Sequence, residues 1–171
     1  KDGEVKEPEK PSLKAGTFGA LSARCIGPAL FSGRVADIAV NPRDPSEFYI
    51  AVASGGMWKT TNAGVTFSPI MDSSGSYSFG CVTIDPHDPN VVWVGSGENN
   101  SQRSVGFGDG VYVSRDAGKN FTNVGLTESE HIGRIVVDPR DSRVVYAAAH
   151  GPLWRTGGER GLYKTNDGGA T

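Results

Sequence analysis

Residues 114–121 (SRDAGKNF) contain the pattern that decides the fold, because two other stretches of the chain repeat it. Residues 60–67 (TTNAGVTF) repeat it over eight positions, and residues 165–171 (TNDGGAT) over seven. Ser or Thr stands first, Asp or Asn third and Gly fifth, and the two longer copies have Phe eighth. An Asp or Asn side chain accepts hydrogen bonds from backbone N–H groups of its own turn, and Gly adopts a positive φ without steric cost. The pattern therefore predicts three equivalent turns between strands.

We interpret the polar residues of these turns as structural. Asp116 and Asp167 are expected to hold a hairpin rather than to act as catalytic acids or calcium ligands. The three His residues are too scattered along the chain to indicate a metal site, and no motif indicates a cofactor. The residues assigned to the structural turns are Thr60, Asn62, Gly64, Phe67, Ser114, Asp116, Gly118, Phe121, Thr165, Asp167 and Gly169.

Three longer segments align without a gap and end in the same kind of turn. They are residues 32–45 (SGRVADIAVNPRDP), 76–89 (SYSFGCVTIDPHDP) and 129–142 (SEHIGRIVVDPRDS). Their alternating apolar positions predict a strand, and the Asn-Pro or Asp-Pro pair predicts the turn that ends it. Second and third strands are predicted at residues 47–52, 91–96 and 144–149 and at residues 56–60, 110–114 and 161–165.

Small residues occupy one position of each predicted first strand. Ala36, Gly80 and Gly133 align there. We interpret this position as a place where neighbouring strands lie close together.

The spacing of the turns indicates the size of the repeated unit. From Asn62 to Asp116 the chain advances 54 residues, and from Asp116 to Asp167 it advances 51. Fourth strands are expected near residues 67–70 and 121–124, after the first two turns. Four antiparallel strands in about 50 residues are typical of one propeller blade. The predicted fold is therefore an all-β β-propeller with about three blades present, which is an incomplete ring.

The turn resembles the Asp-box of sialidase-type and sortilin-type β-propellers. The whole repeat, from about residue 23 to residue 171, is similar to large bacterial proteins with BNR-type repeats, described as sortilin-like or glycosyl-hydrolase-like. The resemblance includes residues 25–34 (CIGPALFSGR) and 131–134 (HIGR). It implies a rigid propeller scaffold with either a binding or a hydrolytic role.

The expected organisation places a charged N-terminal arm at residues 1–20 and a strand segment at residues 21–31. That segment, Leu21–Ile26 above all, is expected to complete the last blade of a ring. Three blades do not close a ring, so the expected partners include the remainder of the same propeller, in a longer polypeptide, or further chains. The expected blades are residues 32–75, residues 76–128 and an incomplete third blade at residues 129–171.

Composition excludes several classes of protein. The 24 Gly and 10 Pro residues disfavour a helical bundle, because both residue types break helices. A net charge of −2 disfavours nucleic acid as a partner, and no apolar run is long enough to span a membrane. Cys25 and Cys81 are expected either to form one bridge or to be two buried thiols. The charged, Pro-containing start is interpreted as the mature end of an exported bacterial protein, which is secreted, periplasmic or at the cell surface.

The predicted loops that vary in length lie on one face of the propeller. The loop at residues 98–109 and the loop at residues 151–160 are long, whereas the first blade has only Ser54 and Gly55 there. Recognition commonly resides in such loops on a rigid scaffold. The candidate ligand-binding residues on this face are Arg34, Glu98, Asn99, Arg103, Asp109, His131, Arg134, His150, Trp154 and Arg155.

The charged residues near the propeller axis allow two interpretations. One is a polar pocket for an anionic or carbohydrate ligand. The other is an internal network in which Glu98 pairs with Arg134, and Asp37 pairs with Arg34, to hold neighbouring blades together.

Three functions remain open from the sequence. The favoured one is a non-catalytic module that binds a protein or a glycan. The second is a sialidase-like or xyloglucanase-like glycoside hydrolase, but such enzymes use two carboxyl groups and only Glu98 is a candidate. The Phe-Arg-Ile-Pro signature typical of sialidases is also absent. The third is a structural subunit of a larger complex.

Overall fold

The computed structural model describes residues 33–100 and 105–171, and within these ranges it contains strands and no helix. The predictions for residues 1–31, which include Leu21–Ile26 and Cys25, lie outside the described residues, as does the candidate Arg103. The strands are β1 (Arg34–Val40), β2 (Phe48–Ala53), β3 (Gly56–Thr60), β4 (Ser68–Pro69), β5 (Phe79–Ile84), β6 (Val92–Ser96), β7 (Val111–Ser114), β8 (Thr122–Gly125), β9 (Ile132–Asp138), β10 (Asp141–Ala149) and β11 (Gly161–Thr165).

These strands form three antiparallel sheets in which neighbours along the chain are neighbours in space. The first sheet has the order β1-β2-β3-β4, the second β5-β6-β7-β8 and the third β9-β10-β11. The register is also the same, because the aromatic residue of each second strand pairs with the aligned residue of the first strand. These pairs are Ala39 with Tyr49, Thr83 with Trp93 and Val136 with Tyr146. The three segments that align in the sequence therefore also share the same strand pairing.

The small-residue position of the first strands is a β-bulge in all three sheets. Pairing skips Ala36 in β1, Gly80 in β5 and Gly133 in β9. A bulge leaves one residue unpaired and bends its strand locally. At Gly80 a Cβ atom would lie 2.5 Å from the carbonyl oxygen of Gly97 and 2.6 Å from that of Ile132. The crowding predicted from the sequence therefore comes from backbone at this bulge.

Two apolar layers join the sheets face to face. The layer between the first and second sheets includes Tyr49, Met57 and Phe79, and none of these is more than 1% exposed. The layer between the second and third sheets includes Trp93 and Ile132, which are at most 2% exposed. Burial of each such side chain contributes roughly 1.5–3 kcal/mol. The core of the molecule is therefore divided between two interfaces rather than concentrated inside one sheet.

Each repeated turn is held by hydrogen bonds among its own residues. Ser114 Oγ donates to Asp116 Oδ1 at 2.8 Å, and the backbone N–H groups of Gly118 and Asn120 donate to Ser114 Oγ and Asp116 Oδ1. Hydrogen bonds from Asn120 and Ser114 lower the pKa of the Asp116 carboxyl to about 2. The same pattern recurs in the turns that begin at Thr60 and Thr165. The side-chain oxygens of Asn62, Asp116 and Asp167 thus accept hydrogen bonds from their own turns.

The two kinds of turn lie on one face of the molecule, which we call the turn face. Each repeated turn donates a backbone N–H either to the turn between the first and second strands of its own sheet or, in the third sheet, to the start of the second strand. These hydrogen bonds are 2.8–2.9 Å long and join Ala63 to Ser46, Ala117 to Asn90 and Gly168 to Arg143. Because the strands are antiparallel, the remaining loops lie at the opposite end of each sheet, which we call the loop face.

Candidate functional site

The loop face has two long loops held by backbone hydrogen bonds. Residues 97–110 connect β6 to β7, and residues 150–160 connect β10 to β11. Glu98 N–H donates to the Gly106 carbonyl at 3.1 Å, and Gly108 N–H donates to the Glu130 carbonyl at 2.7 Å. The first of these loops is therefore fastened both to itself and to the segment that leads into the third sheet.

Arg34 and Glu98 form an ion pair between the first and second sheets. Arg34 Nη2 donates to Glu98 Oε1; the carboxylate is fully buried, whereas the Arg34 side chain is 47% exposed. The second carboxylate oxygen, Oε2, is buried without a hydrogen-bond partner among residues 33–100 and 105–171. A buried carboxylate held by a guanidinium is inaccessible to a large substrate, so this geometry is that of a contact between sheets.

Arg134 and Asp37 form a second ion pair, between the third and first sheets. Their closest N···O distance is 3.5 Å, and the Arg134 side chain is 65% exposed. Asp37 Oδ2 also accepts the backbone N–H of Val82 at 3.2 Å. The pairing predicted from the sequence, Glu98 with Arg134 and Asp37 with Arg34, is therefore wrong, because each acid takes the other arginine. Arg34 begins β1 beside the β6–β7 loop, and this places it within reach of Glu98.

His131 is a buried histidine close to the loop face. It has no exposed surface, and neither ring nitrogen has a hydrogen-bond partner within the described part of the chain. The Phe107 ring lies at a centroid distance of 6.0 Å. Burial lowers the pKa of His131, the nearby His150 adds to this effect, and Glu130 opposes it. The imidazole is therefore neutral at pH 7.

This burial predicts a dependence of stability on pH. Because the pKa of His131 in the folded chain lies below 6.5, its value when unfolded, the unfolded chain binds more protons below that pH. The free energy of unfolding should therefore fall as the pH is lowered from 6.5 to 5, by at most about 1.4 kcal/mol per pH unit for one group. Denaturant unfolding of the wild type and of His131→Gln over this range measures the effect.

The variant should lose most of this slope. His87→Gln is the matched control, because His87 lies in a turn of the opposite face, where its ring contacts the Pro139 carbonyl at 2.7 Å. A slope that is unchanged in His131→Gln would contradict the assignment.

The remaining polar candidates differ in how they are engaged. Asp109 accepts a hydrogen bond from Tyr112 Oη at 2.6 Å and one from Ser96 Oγ at 3.2 Å, so its carboxylate is used within the second sheet. Asn99 Nδ2 donates to the Gly133 carbonyl at 3.2 Å, which links the second and third sheets.

The last candidate residues on the loop face are His150, Trp154 and Arg155. His150 is exposed, and its backbone N–H donates to the His131 carbonyl at 2.8 Å. Arg155 donates to Glu130 Oε1 from Nη2 at 2.5 Å and from Nε at 3.1 Å. The two hydrogen bonds from Arg155 to Glu130 tether the loop that carries Trp154, and the Trp154 side chain is 67% exposed.

Three exposed aromatic side chains lie on the loop face. Tyr77 is 64% exposed, Phe107 60% and Trp154 67%, and every other Phe, Tyr and Trp of the described residues is at least partly buried. Hydrogen bonds connect their segments: Ser76 Oγ donates to the Phe107 carbonyl at 2.9 Å, Gly108 N–H donates to Glu130, and Glu130 holds Arg155. The segments that carry the three aromatic side chains are therefore linked to one another on the loop face, and we call these three exposed side chains the aromatic surface.

The sequence reasoning missed Tyr77 and Phe107 as candidates. No local signal separates them from the core aromatic residues. Tyr77 stands between two serines and Phe107 between two glycines, but Phe79, which stands between a serine and a glycine, is fully buried.

Other chemistry receives no support from the described residues. Within residues 33–100 and 105–171, no three His, Cys, Asp or Glu side chains are grouped so that they could hold a metal ion. Cys81 is a buried thiol, and burial raises its pKa to about 12, so it is not a reactive nucleophile. In the same ranges, no helix has the length and apolar character needed to cross a membrane.

Comparison with solved structures identifies the arrangement of the sheets. An ancestral GH74 enzyme matches 82% of this chain at 20% identity with a TM-score of 0.65. The GH74 xyloglucanase from Xanthomonas campestris matches 80% at 18% identity with a TM-score of 0.56. YCF48 from Cyanidioschyzon merolae matches 84% at 18% identity with a TM-score of 0.54. These proteins are β-propellers. This chain has the β-propeller fold.

The propeller assignment makes each sheet a blade and confirms the predicted fold class. The chain spans only 18%, 22% and 38% of the lengths of these three neighbours, respectively. No protein-family model matches the sequence, and a comparison with curated proteins gives no match either. At such low identity the likeness establishes the propeller and leaves its activity to be inferred from the site.

Proposed function

We propose that this chain is part of a non-catalytic β-propeller module that binds a protein or a glycan through its loop face. The observation that carries the proposal is the aromatic surface formed by Tyr77, Phe107 and Trp154. Exposing three large aromatic side chains on one face is unfavourable in water unless a partner covers them. Aromatic side chains with a nearby arginine are enriched in the energetically dominant parts of protein interfaces, and aromatic rings also stack against sugars.

The ion pairs support the same proposal. Arg34 with Glu98 and Arg134 with Asp37 each neutralise charge between blades. Glu98 is the acid that a hydrolase mechanism would require, and its complete burial disfavours that role.

We further propose that the repeated turns are Asp-boxes of BNR type, that the blades comprise residues 32–75, 76–128 and 129–171, and that the protein is exported from a bacterial cell.

The test is a binding screen of the purified chain against immobilised polysaccharides and against proteins of a bacterial cell surface. Trp154→Ala should weaken binding of the selected partner at least tenfold, and so should Phe107→Ala, because each removes apolar contact area from the surface. The matched control is Val65→Ser, which alters a side chain that is 80% exposed on the turn face.

Two results would contradict the proposal. One is binding that survives the combined Tyr77→Ala, Phe107→Ala and Trp154→Ala substitutions. The other is turnover of a glycoside that Glu98→Gln abolishes while the variant remains folded. The second result would favour the glycoside hydrolase alternative.

A further inference from the structure

A groove lies on the loop face between the β2–β3 turn and the segment that joins β4 to β5. Its volume of about 340 Å³ is at the lower end of the range for pockets that bind small ligands. The residues that line it include Trp58 and Met71, which are at most 4% exposed, and Tyr77, which is 64% exposed. The groove is therefore a concave site that contains one member of the aromatic surface.

Hydrogen bonds fix the two sides of the groove relative to each other. Gly56 N–H, in the β2–β3 turn, donates to the Tyr77 carbonyl at 2.9 Å. The indole Nε1 of Trp58 donates to the Gly55 carbonyl at 2.7 Å, which holds the buried ring against the same turn. The groove is thus preformed, and a ligand would bind without first ordering the backbone around it.

The charge at the groove is negative. Asp72, an exposed residue, lines the groove. Asp109 lies directly behind Gly75, which also lines the groove, because a Cβ on Gly75 would meet the Asp109 carboxylate. Among the described residues, neither acid forms an ion pair and no Lys, Arg or His lines the groove, since Lys119 lines a neighbouring groove instead. Two carboxylates without a counter-charge in this part of the chain favour a cationic ligand.

The combination of Tyr77 with Asp72 suits an organic cation. A guanidinium or ammonium group is attracted to the face of an aromatic ring as well as to a carboxylate. A guanidinium can do both at once, because it is planar and carries its hydrogen-bond donors around its edge. An anionic ligand would be repelled by both acids, and a neutral ligand would leave their charge uncompensated.

We propose that this groove binds a basic side chain of a protein partner. The Tyr77 ring contacts the cationic group, Asp72 pairs with it, and Asp109 adds attraction from behind Gly75. This inference rests on the binding function proposed above and narrows it, because it makes the partner of the loop face a protein with an exposed arginine or lysine.

The test uses a short peptide as the probe. Acetyl-Gly-Arg-Gly-amide is titrated into the purified chain, and the matched probe carries citrulline, whose uncharged urea group has nearly the shape of a guanidinium. The arginine peptide should shift the amide NMR signals of Gly55, Gly75 and Tyr77. It should bind about fivefold more tightly than the citrulline peptide, which corresponds to one charge pair at close range in water. Raising the salt concentration from about 0.01 M to about 1 M should remove this difference.

Variants of the chain locate the interaction. Asp72→Asn should weaken binding of the arginine peptide about fivefold and Tyr77→Ala about threefold, whereas Tyr77→Phe keeps the ring and should retain the affinity. Glu128→Gln is the matched control, because Glu128 is exposed on the loop face and does not line the groove. Trp154→Ala should leave peptide binding unchanged while it weakens binding of the whole partner, so this proposal and the proposed function can fail separately.

Three results would overturn the proposal. Equal affinity of the two peptides would mean that the groove does not recognise positive charge. Equal weakening by Asp72→Asn and Glu128→Gln would mean that the charge of the whole face, rather than the groove, attracts the peptide. Shifts of the same amide signals by maltose, with none by the arginine peptide, would assign the groove to a neutral sugar.

Discussion

Replacing Arg34 by Ala is expected to lower the free energy of unfolding by about 3 kcal/mol. The substitution leaves the Glu98 carboxylate fully buried and without its counter-charge, with Oε2 already unpartnered among the described residues. Removing one partner of a buried ion pair typically costs about 3–5 kcal/mol, and the lower end applies because the Arg34 side chain is about half exposed. Urea unfolding at pH 7 measures the change.

Arg134→Ala is the matched control, because it removes an arginine from the other ion pair between blades. Arg134 lies 3.5 Å from Asp37 and is mostly exposed, so its loss should cost less than about 1 kcal/mol. The double variant Arg34→Met with Glu98→Gln should be more stable than Arg34→Ala, since it removes both charges. Equal effects of the two single substitutions would show that Glu98 is hydrated rather than buried.

Replacing Gly80 by Ala should cost about 3 kcal/mol, at the upper end of what overpacking usually costs. The added Cβ would lie 2.5–2.6 Å from the carbonyl oxygens of Gly97 and Ile132, which belong to backbone that cannot move without breaking the contact between blades. The φ of Gly80 is not positive, so the cost is steric rather than conformational. Thermal unfolding followed by circular dichroism measures it.

Gly133→Ala is the control at the equivalent bulge of the third blade. There the added Cβ would meet Nε2 of the His150 ring, and this exposed side chain can rotate away. Loss of a glycine from the unfolded chain is itself slightly stabilising, so the net change should be within about 1 kcal/mol of zero. Comparable destabilisation at both positions would mean that the bulge itself, rather than the neighbouring backbone, requires glycine.

These two comparisons concern how blades are joined, which is the property on which the loop face depends. The aromatic surface extends from the segment between β4 and β5 that joins the first and second blades, which carries Tyr77, to the third blade, which carries Trp154. Its three aromatic side chains keep their relative positions only if the blades do. We therefore expect Arg34→Ala and Gly80→Ala to weaken partner binding as a consequence of altered blade packing, whereas Trp154→Ala should weaken binding without lowering stability.

The blades could be predicted from the sequence because their information is local. The turn around Asp116 is closed by hydrogen bonds between residues at most four positions apart, so a stretch of eight residues is enough to predict it. The strand before it, β7, is a short run of apolar residues that ends at the turn, and the similar spacings of 54 and 51 residues between turns indicate the blade size. The need for a small residue at Gly80 could also be predicted from the sequence, but only the strand register shows that Gly80 lies in a β-bulge.

The site depends on contacts between residues that are far apart in the chain, and a one-dimensional pattern does not specify them. Arg34 and Glu98 are separated by 64 positions, and the partner of each charge depends on how one blade is rotated against the next. The same rotation buries His131 and leaves Phe107 exposed, although both are ring side chains near loops. Local hydrogen bonding and periodicity thus encode the blades, whereas the choice of ion-pair partners and of exposed aromatic side chains arises only when the blades pack, because packing determines which groups lose contact with water.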